Sequence, residues 1–305
     1  MRPLSYAADA DLTVAPASLR VRLADLKELL KPGISGFVVA TAAAGYLLGT
    51  AVPPHWPTLI GLLLGTAATS GGAGALNHLV ERRYDARMHR TQHRPIPSGR
   101  VRPGFVLAYG LALVAAGLAV LGLTTNALTT ALAGASVVLY VAVYTPLKRR
   151  TTLNTLVGAI PGALPTLGGV TAAAGELNAV GWAAFAILFL WQLPHFYAIA
   201  WMLREDYARG GFVMLPSVDA TGRTTALHVL VSTLLLLVAG VLPTATGSAG
   251  WLYFVGMAGL GTAFTLPAFS FFAGPTDRRA RRLLFASILY VPAFLALVVA
   301  DFFLG

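Results

Sequence analysis

Asn77, Glu81 and Asp85 follow one another at intervals of four within the polar stretch 77–102. In a helix each such step advances about 40° around the axis and about 6 Å along it, so the three oxygen-bearing side chains form one stripe about 12 Å long. Arg90, Arg94, Arg100 and Arg102 come next, with Pro95, Pro97 and Gly99 as the residues expected to end the helix. The plainer use of such residues is ion pairing of the acids with Arg82, Arg83 and Arg87, which contributes little at a surface. Three ligands on one face favour a second use. Hard oxygen ligands beside a basic cluster suit a magnesium–diphosphate, with guanidinium forks taking the remaining phosphate oxygens.

Glu205 and Asp206 form a second acidic group. Alone they read equally well as a solvated loop balancing Arg204 and Arg209. Their placement on the same membrane face as the first block makes Asp206 the stronger second-half metal ligand, with Glu205 beside it. Lys148 and Arg149 sit at the end of an apolar segment, where basic residues commonly anchor a span. Lys148, next to Tyr144-Thr145-Pro146, is the better placed for a diphosphate contact. Arg90 and Arg94 are expected to be presented by a loop that Thr91 and the Pro95-x-Pro97 sequence fix.

A third group lies inside an apolar run, Trp191-Gln192-Leu193-Pro194-His195-Phe196-Tyr197. Polar groups at membrane depth are costly unless they face a cavity or a partner, and Pro194 frees a backbone carbonyl there. A lone histidine in such a place is often a packing residue. Gln192 and His195, three apart and flanked by Trp191 and Tyr197, instead suit a pocket for a large flat acceptor. His228 has no such context and reads as structural. Gly158, Gly162, Gly71 and Gly74 read as close-packing positions.

The elements that must hold these groups are set by composition. The chain has 305 residues, of which 56% are hydrophobic and 11% charged, with a mean hydropathy of +0.72. Soluble chains of this length are about 25% charged, so most of this surface faces lipid. The expected fold is all-α and polytopic, with about nine transmembrane helices in one bundle. There is no cysteine, which excludes disulfides, thiolate metal sites and haem attached through a Cys-x-x-Cys-His motif.

Spans are expected at about residues 33–52, 57–77, 103–123, 126–145, 152–172, 180–202, 223–243, 249–272 and 283–303. The fifth, interrupted by Pro161 and Pro165, is the weakest. With the N-terminus inside, all 22 Lys and Arg fall in the inside segments, the pattern of the positive-inside rule. The net charge of +10 is thereby explained by topology, and no nucleic-acid partner is implied. Residues 1–32 read as a cytoplasmic tail without a signal-peptide core. A short amphipathic helix at 18–30 is expected on the membrane face. Residues 33–305 form the membrane domain. The polar block after the sixth span mirrors the one after the second, four spans apart, as in duplicated bundles.

Asn77-x3-Glu81-x3-Asp85-x2-Met88-x-Arg90-Thr91-x2-Arg94-Pro95 resembles the first signature of the UbiA-type intramembrane prenyltransferases. The Met-x-Arg-Thr-x-x-Arg-Pro extension is similar to that of the protohaem IX farnesyltransferase branch. Tyr144 to Arg149 with Thr152 and Asn154, then Trp191 to Phe196 with Asp206-Tyr207 and Met214-Leu215-Pro216, resemble the next two blocks of that branch in the same order. Glu81 departs from the pattern, since many members carry Asp there, and the second acidic motif is thinner than in other branches.

The resemblance implies the following. Mg2+ is held by Asn77, Glu81, Asp85, Asp206 and Glu205, while Arg90, Arg94, Lys148 and Arg149 bind the diphosphate of farnesyl diphosphate. Haem B is a substrate, with Gln192, His195 and Tyr197 at its pocket. Farnesyl transfer to a haem vinyl group, with water addition, gives haem O and diphosphate. The protein then sits in the cytoplasmic membrane with its active-site loops cytoplasmic and its C-terminus outside, and a haem A synthase is the partner expected downstream. A sister enzyme acting on a quinone precursor or a chlorin would share the metal site and differ in the acceptor pocket. A transporter would instead carry charged groups near the bilayer midplane, and an assembly partner would not need the acidic stripe.

Overall fold

The computed structural model describes residues 22–50 and 52–304. Its helices are α1 (Leu23–Leu29), α2 (Pro32–Gly49), α3 (Trp56–Asp85), α4 (Pro103–Thr124), α5 (Ala127–Val138), α6 (Thr145–Leu147), α7 (Asn154–Ala174), α8 (Ala179–Met202), α9 (Arg204–Arg209), α10 (Leu215–Val218), α11 (Arg223–Ala245), α12 (Trp251–Phe272) and α13 (Asp277–Leu304). A π-helical turn, Leu139–Tyr144, joins α5 to α6. Among the described residues, nine helical segments are long and apolar enough to cross a membrane, and each overlaps one of the nine expected spans, although the second runs on to Asp85 and the ninth begins at Asp277. The outer faces carry Leu111, Leu123, Val238, Leu266, Phe285 and Leu289, all exposed. In water that would be a large penalty; against acyl chains it costs nothing. This is a multi-pass membrane protein.

Lipid offers no hydrophobic drive between helices, so contact depends on close backbone approach. The α2–α7 crossing shows how. A Cβ on Gly45 would lie 2.0 Å from the Thr166 carbonyl oxygen, and one on Gly169 would lie 2.0 Å from that of Ala42. The helices touch backbone to backbone. The second half packs more conventionally, around Trp191, Tyr197, Tyr253, Phe264, Phe271 and Phe294.

The fifth span is one helix despite its prolines. Pro165 has no N–H for the carbonyl of Pro161, and the Ser136 hydroxyl donates to that oxygen instead at 2.8 Å. The expected helix over 18–30 is shorter, Leu23–Leu29, and residues 18–21 lie outside the described residues. It is docked on protein as well: Leu29 packs with Ala75, Ile96, Val101 and Val106. Arg100 pairs with its Asp25 at 2.7 Å.

Helix α3 ends at Asp85, well before the prolines expected to stop it. The chain then folds back through consecutive turns as far as Val101. The Thr91 hydroxyl fixes the first of them by donating to the Asp85 carbonyl at 3.0 Å. Had the helix run on, Arg94 would lie about 13 Å along the axis from Asp85; the turns bring their side chains into contact.

Candidate active site

One cavity of about 680 Å³ opens inside the bundle, within the range of small-molecule sites. Its lining is mostly apolar, and its charged groups are Lys31, Glu81, Asp85, Arg90, Arg94 and Lys148. Five of these six were read from the sequence as candidates. The stripe on α3 supplies the acids: Glu81 and Asp85 are both buried and both line the cavity. Arg94 donates to Asp85 Oδ2 at 2.8 Å, and Lys148 Nζ donates to Glu81 Oε1 at 2.7 Å. Lys148 is also stacked over the Tyr144 ring at 4.6 Å. Burial works against the Lys148 ammonium, but Glu81 outweighs it and holds its pKa well above the ordinary lysine value.

Asn77 is one turn further along the stripe and is fully buried. Its amide oxygen accepts from Lys31 Nζ, and its Nδ2 donates to Thr145 Oγ1 at 3.0 Å. Lys31, which sequence reasoning missed, thus lies over the end of the stripe. Its backbone is left-handed, with φ 49°, an uncommon state for a residue with a Cβ. Nζ is shared with Tyr140 Oη at 3.3 Å. Burial pushes the Lys31 pKa down to about 7. Nothing in the sequence distinguishes Lys31 from any lysine anchoring the start of a span, which is why it was missed.

The π turn aims both tyrosines into the cavity, with Tyr140 and Tyr144 stacked at 5.6 Å. The Tyr140 carbonyl accepts from the Thr145 backbone N–H and from the Thr145 hydroxyl at 2.7 Å. Wide turns of this kind gather at functional sites. Tyr207 and Phe212 from the second polar block close the same end.

Three expected site groups stand elsewhere. Asp206 lies against a separate hollow shared with His89, Arg90 and Arg209. Its Oδ1 accepts from the His89 backbone N–H at 3.0 Å and from Arg209 at 2.8 Å. Partial burial opposes ionisation, yet Arg209 and the N–H groups of His89 and Arg90 hold its pKa below the usual carboxylate value. Glu205 is exposed beside the same hollow. Asp206 and Glu205, expected as metal ligands with the stripe, thus line a different hollow from Glu81 and Asp85, and Asp206 bonds the loop that carries Arg90. Arg149 bonds the Tyr84 hydroxyl and stacks on that ring at 4.3 Å; it does not line the cavity.

The acceptor end follows helix geometry. Trp191, Gln192, His195, Phe196 and Ile199 of α8 line the cavity. Tyr197 does not, since two residues beyond His195 a side chain lies about 200° around the axis. It is buried against α11, where its hydroxyl meets His228 Nδ1 at 3.1 Å, so its expected place at the flat pocket is corrected. Gln192 donates to the Ala159 carbonyl at 3.2 Å, and Gly162 leaves the room its side chain occupies.

Among the described residues no cluster of three or more His, Asp or Glu side chains is close enough to hold a metal by itself. The donor set nonetheless suits magnesium bound with a diphosphate. Asp85 Oδ1 is buried without any hydrogen-bond partner, which is costly for a charged group left as it is. Its neighbours on the stripe offer carboxylate and amide oxygens, the ligands Mg2+ takes while phosphate oxygens and water complete its shell.

The profile of the UbiA prenyltransferase family matches residues 38–297. The chain is similar to the Protoheme IX farnesyltransferase of Salinibacter ruber, at 48% identity over 276 residues, covering 90% of this chain and 98% of that protein. It is also similar to that of Solibacter usitatus, at 42% over 286 residues, covering 91% and 98%. A solved structure of digeranylgeranylglyceryl phosphate synthase matches with a TM-score of 0.77 at 15% identity, over 92% of this chain and 98% of that one. A UbiA homolog from Archaeoglobus fulgidus bound to GPP and Mg2+ matches at 0.67 and 16%, over 90% and 99%. At these identities the likeness to solved structures is one of fold.

Proposed function

Because the chain belongs to the UbiA prenyltransferase family, we propose that it transfers the farnesyl group of farnesyl diphosphate to a vinyl group of haem B, giving haem O. The observation that carries this is a single cavity with acidic and basic groups at one end and a flat aromatic wall at the other. The near-full-length relatives named for farnesyl transfer to protoheme support the acceptor.

Glu81 and Asp85, with Asn77 behind them, would hold magnesium, which when bound supplies neutralisation of charge on the diphosphate oxygens. Arg94, Lys148, Arg90 and Lys31 bind the diphosphate and stabilise the charge that grows on it as the allylic C–O bond breaks. That bond's electron pair leaves with the diphosphate. The Tyr140 and Tyr144 rings present their negative faces to the allylic cation and keep water from its carbon. The vinyl electron pair then forms the new C–C bond. Water captures the cation left beside the pyrrole and gives up a proton, leaving a hydroxyethylfarnesyl group. The farnesyl chain lies among apolar residues of α3, α5 and α7.

The positive-inside partition supports a cytoplasmic-membrane location with the charged end of the cavity cytoplasmic. The purified chain, given Mg2+ and farnesyl diphosphate, is offered haem B, a chlorin or a hydroxylated aromatic acid, and products are resolved by mass. Haem gaining one farnesyl group and one water is the expected product. Prenylation of another acceptor with haem unchanged would reassign the substrate.

A further inference from the structure

We infer that His195 binds the haem iron through Nε2 as an axial ligand, an inference that rests on haem B being the acceptor. Ser287 of α13 is fully buried, and its hydroxyl proton is spent on the Leu284 carbonyl at 2.6 Å. The same oxygen lies 2.8 Å from His195 Nδ1. With no second proton to give, Ser287 Oγ accepts, and Nδ1 carries the imidazole hydrogen. The neutral ring therefore has its lone pair on Nε2.

Nε2 has no hydrogen-bond partner among the described residues. Nor is it sealed off: it is absent from the buried polar atoms without partners, and His195 lines the cavity. A polar atom at membrane depth that faces a cavity unpaired points to a ligand. The ring is also held in one orientation. It stacks on Trp191 at 5.0 Å, Trp191 is stacked on Phe37 at 4.9 Å, and Trp191 Nε1 donates to the Ser287 carbonyl at 2.9 Å. Metal-binding imidazoles are held in the same way, with the far nitrogen donating to a fixed oxygen that sets the tautomer. His78 makes the contrast. Both its nitrogens are buried without partners, yet it does not line the cavity.

His195 lies about 10 Å along α8 from Met202, and it lines the same cavity as the charged groups. Axial ligation fixes which edge is presented and makes recognition depend on the metal as well as on the flat ring.

The test uses the full chain in detergent with haem B, reduced and exposed to nitric oxide, and reads the electron paramagnetic resonance of the nitrosyl haem. The expected spectrum shows coupling to an imidazole nitrogen trans to nitric oxide, lost in His195→Ala and restored by added imidazole. His195→Ala should also weaken haem binding about tenfold or more, while binding of metal-free protoporphyrin IX stays within about twofold. A wild-type spectrum without the trans nitrogen overturns the inference whether or not the variant folds. So does a spectrum that His195→Ala leaves unchanged, or an equal loss for both porphyrins. Haem O formation by the wild-type chain is measured in parallel: product without the coupling sinks axial ligation alone, and no product sinks the haem reading beneath it.

Discussion

Asp206 Oδ1 accepts a hydrogen bond from the backbone N–H of His89 at 3.0 Å, across 117 residues of chain. The polar block after the second span and the one after the sixth thus meet at one end of the bundle. Arg90, the residue after His89, faces both the cavity and the hollow that holds Asp206. The carboxylate acts as a clasp on the loop that presents the arginines. Since its pKa is held below the ordinary value, the clasp persists through neutral pH and is lost only as pH falls below the usual carboxylate range.

Asp206→Asn should therefore raise the KM for farnesyl diphosphate by about tenfold, on the scale of one charge-assisted hydrogen bond. The Mg2+ concentration giving half-maximal rate should move by less than about twofold. Steady-state kinetics across a magnesium series checks this. A large shift in magnesium dependence with an unchanged KM would make Asp206 a metal ligand instead.

Lys148 and Glu81 are a buried pair, with side chains 15% and 7% exposed. Lys148→Met leaves Glu81 charged and unpaired, at a cost of about 3 kcal/mol. Adding Glu81→Gln should return most of that stability and none of the activity, because the pair's value to the fold lies in mutual neutralisation and its value to catalysis in its charges. Thermal unfolding in detergent, run with turnover on the same samples, separates the two.

Gly169→Leu should prevent α2 and α7 from closing, since even a Cβ there would stand 2.0 Å from the Ala42 carbonyl oxygen and 2.8 Å from the Tyr46 nitrogen. Backbone on both sides cannot yield. Loss of folded protein in detergent gel filtration is expected, whereas the same substitution at Gly259, where nothing lies within 4 Å, should leave the elution unchanged.

Tyr197→Phe removes only the hydrogen bond to His228, at about 1 kcal/mol of stability, and should leave haem KM and kcat within about twofold. Gln192→Ala, at a cavity-lining position, should change the haem KM several-fold. Acceptor-dependent kinetics of the two variants checks both.

The span count was legible because a lipid-facing helix can be read from composition and length alone; the polar ends of the second and ninth helices, which run on to Asp85 and back to Asp277, carry no such signal. The stripe was legible because four-residue spacing fixes a helical face. Glu81 and Asp85 accordingly reach the cavity, though Asn77 ends beneath Lys31, whose position depends on the α1–α2 turn and on no local pattern. Asp206 was read as a ligand from its type and membrane face. Its carboxylate accepts from the His89 N–H of a distant loop and from Arg209, and no periodicity encodes the first of these partners. The early end of α3 at Asp85 was hidden because the residues after it have no helix breaker before Pro95; Thr91 and burial of Met88 turn the chain. Tyr197 flanks His195 in the sequence, but 100° per residue sets it on the opposite side of α8.

Farnesyl transfer in this cavity requires a diphosphate held between Glu81 and Asp85 on one side and Arg94 and Lys148 on the other. Asp85→Asn keeps the shape of the side chain, removes its charge, and leaves the aromatic wall untouched. The most direct measurement is haem O formation from haem B and farnesyl diphosphate by membranes carrying this variant, resolved by mass and normalised to folded protein. A loss of about a hundredfold or more is predicted. Undiminished haem O would contradict the account.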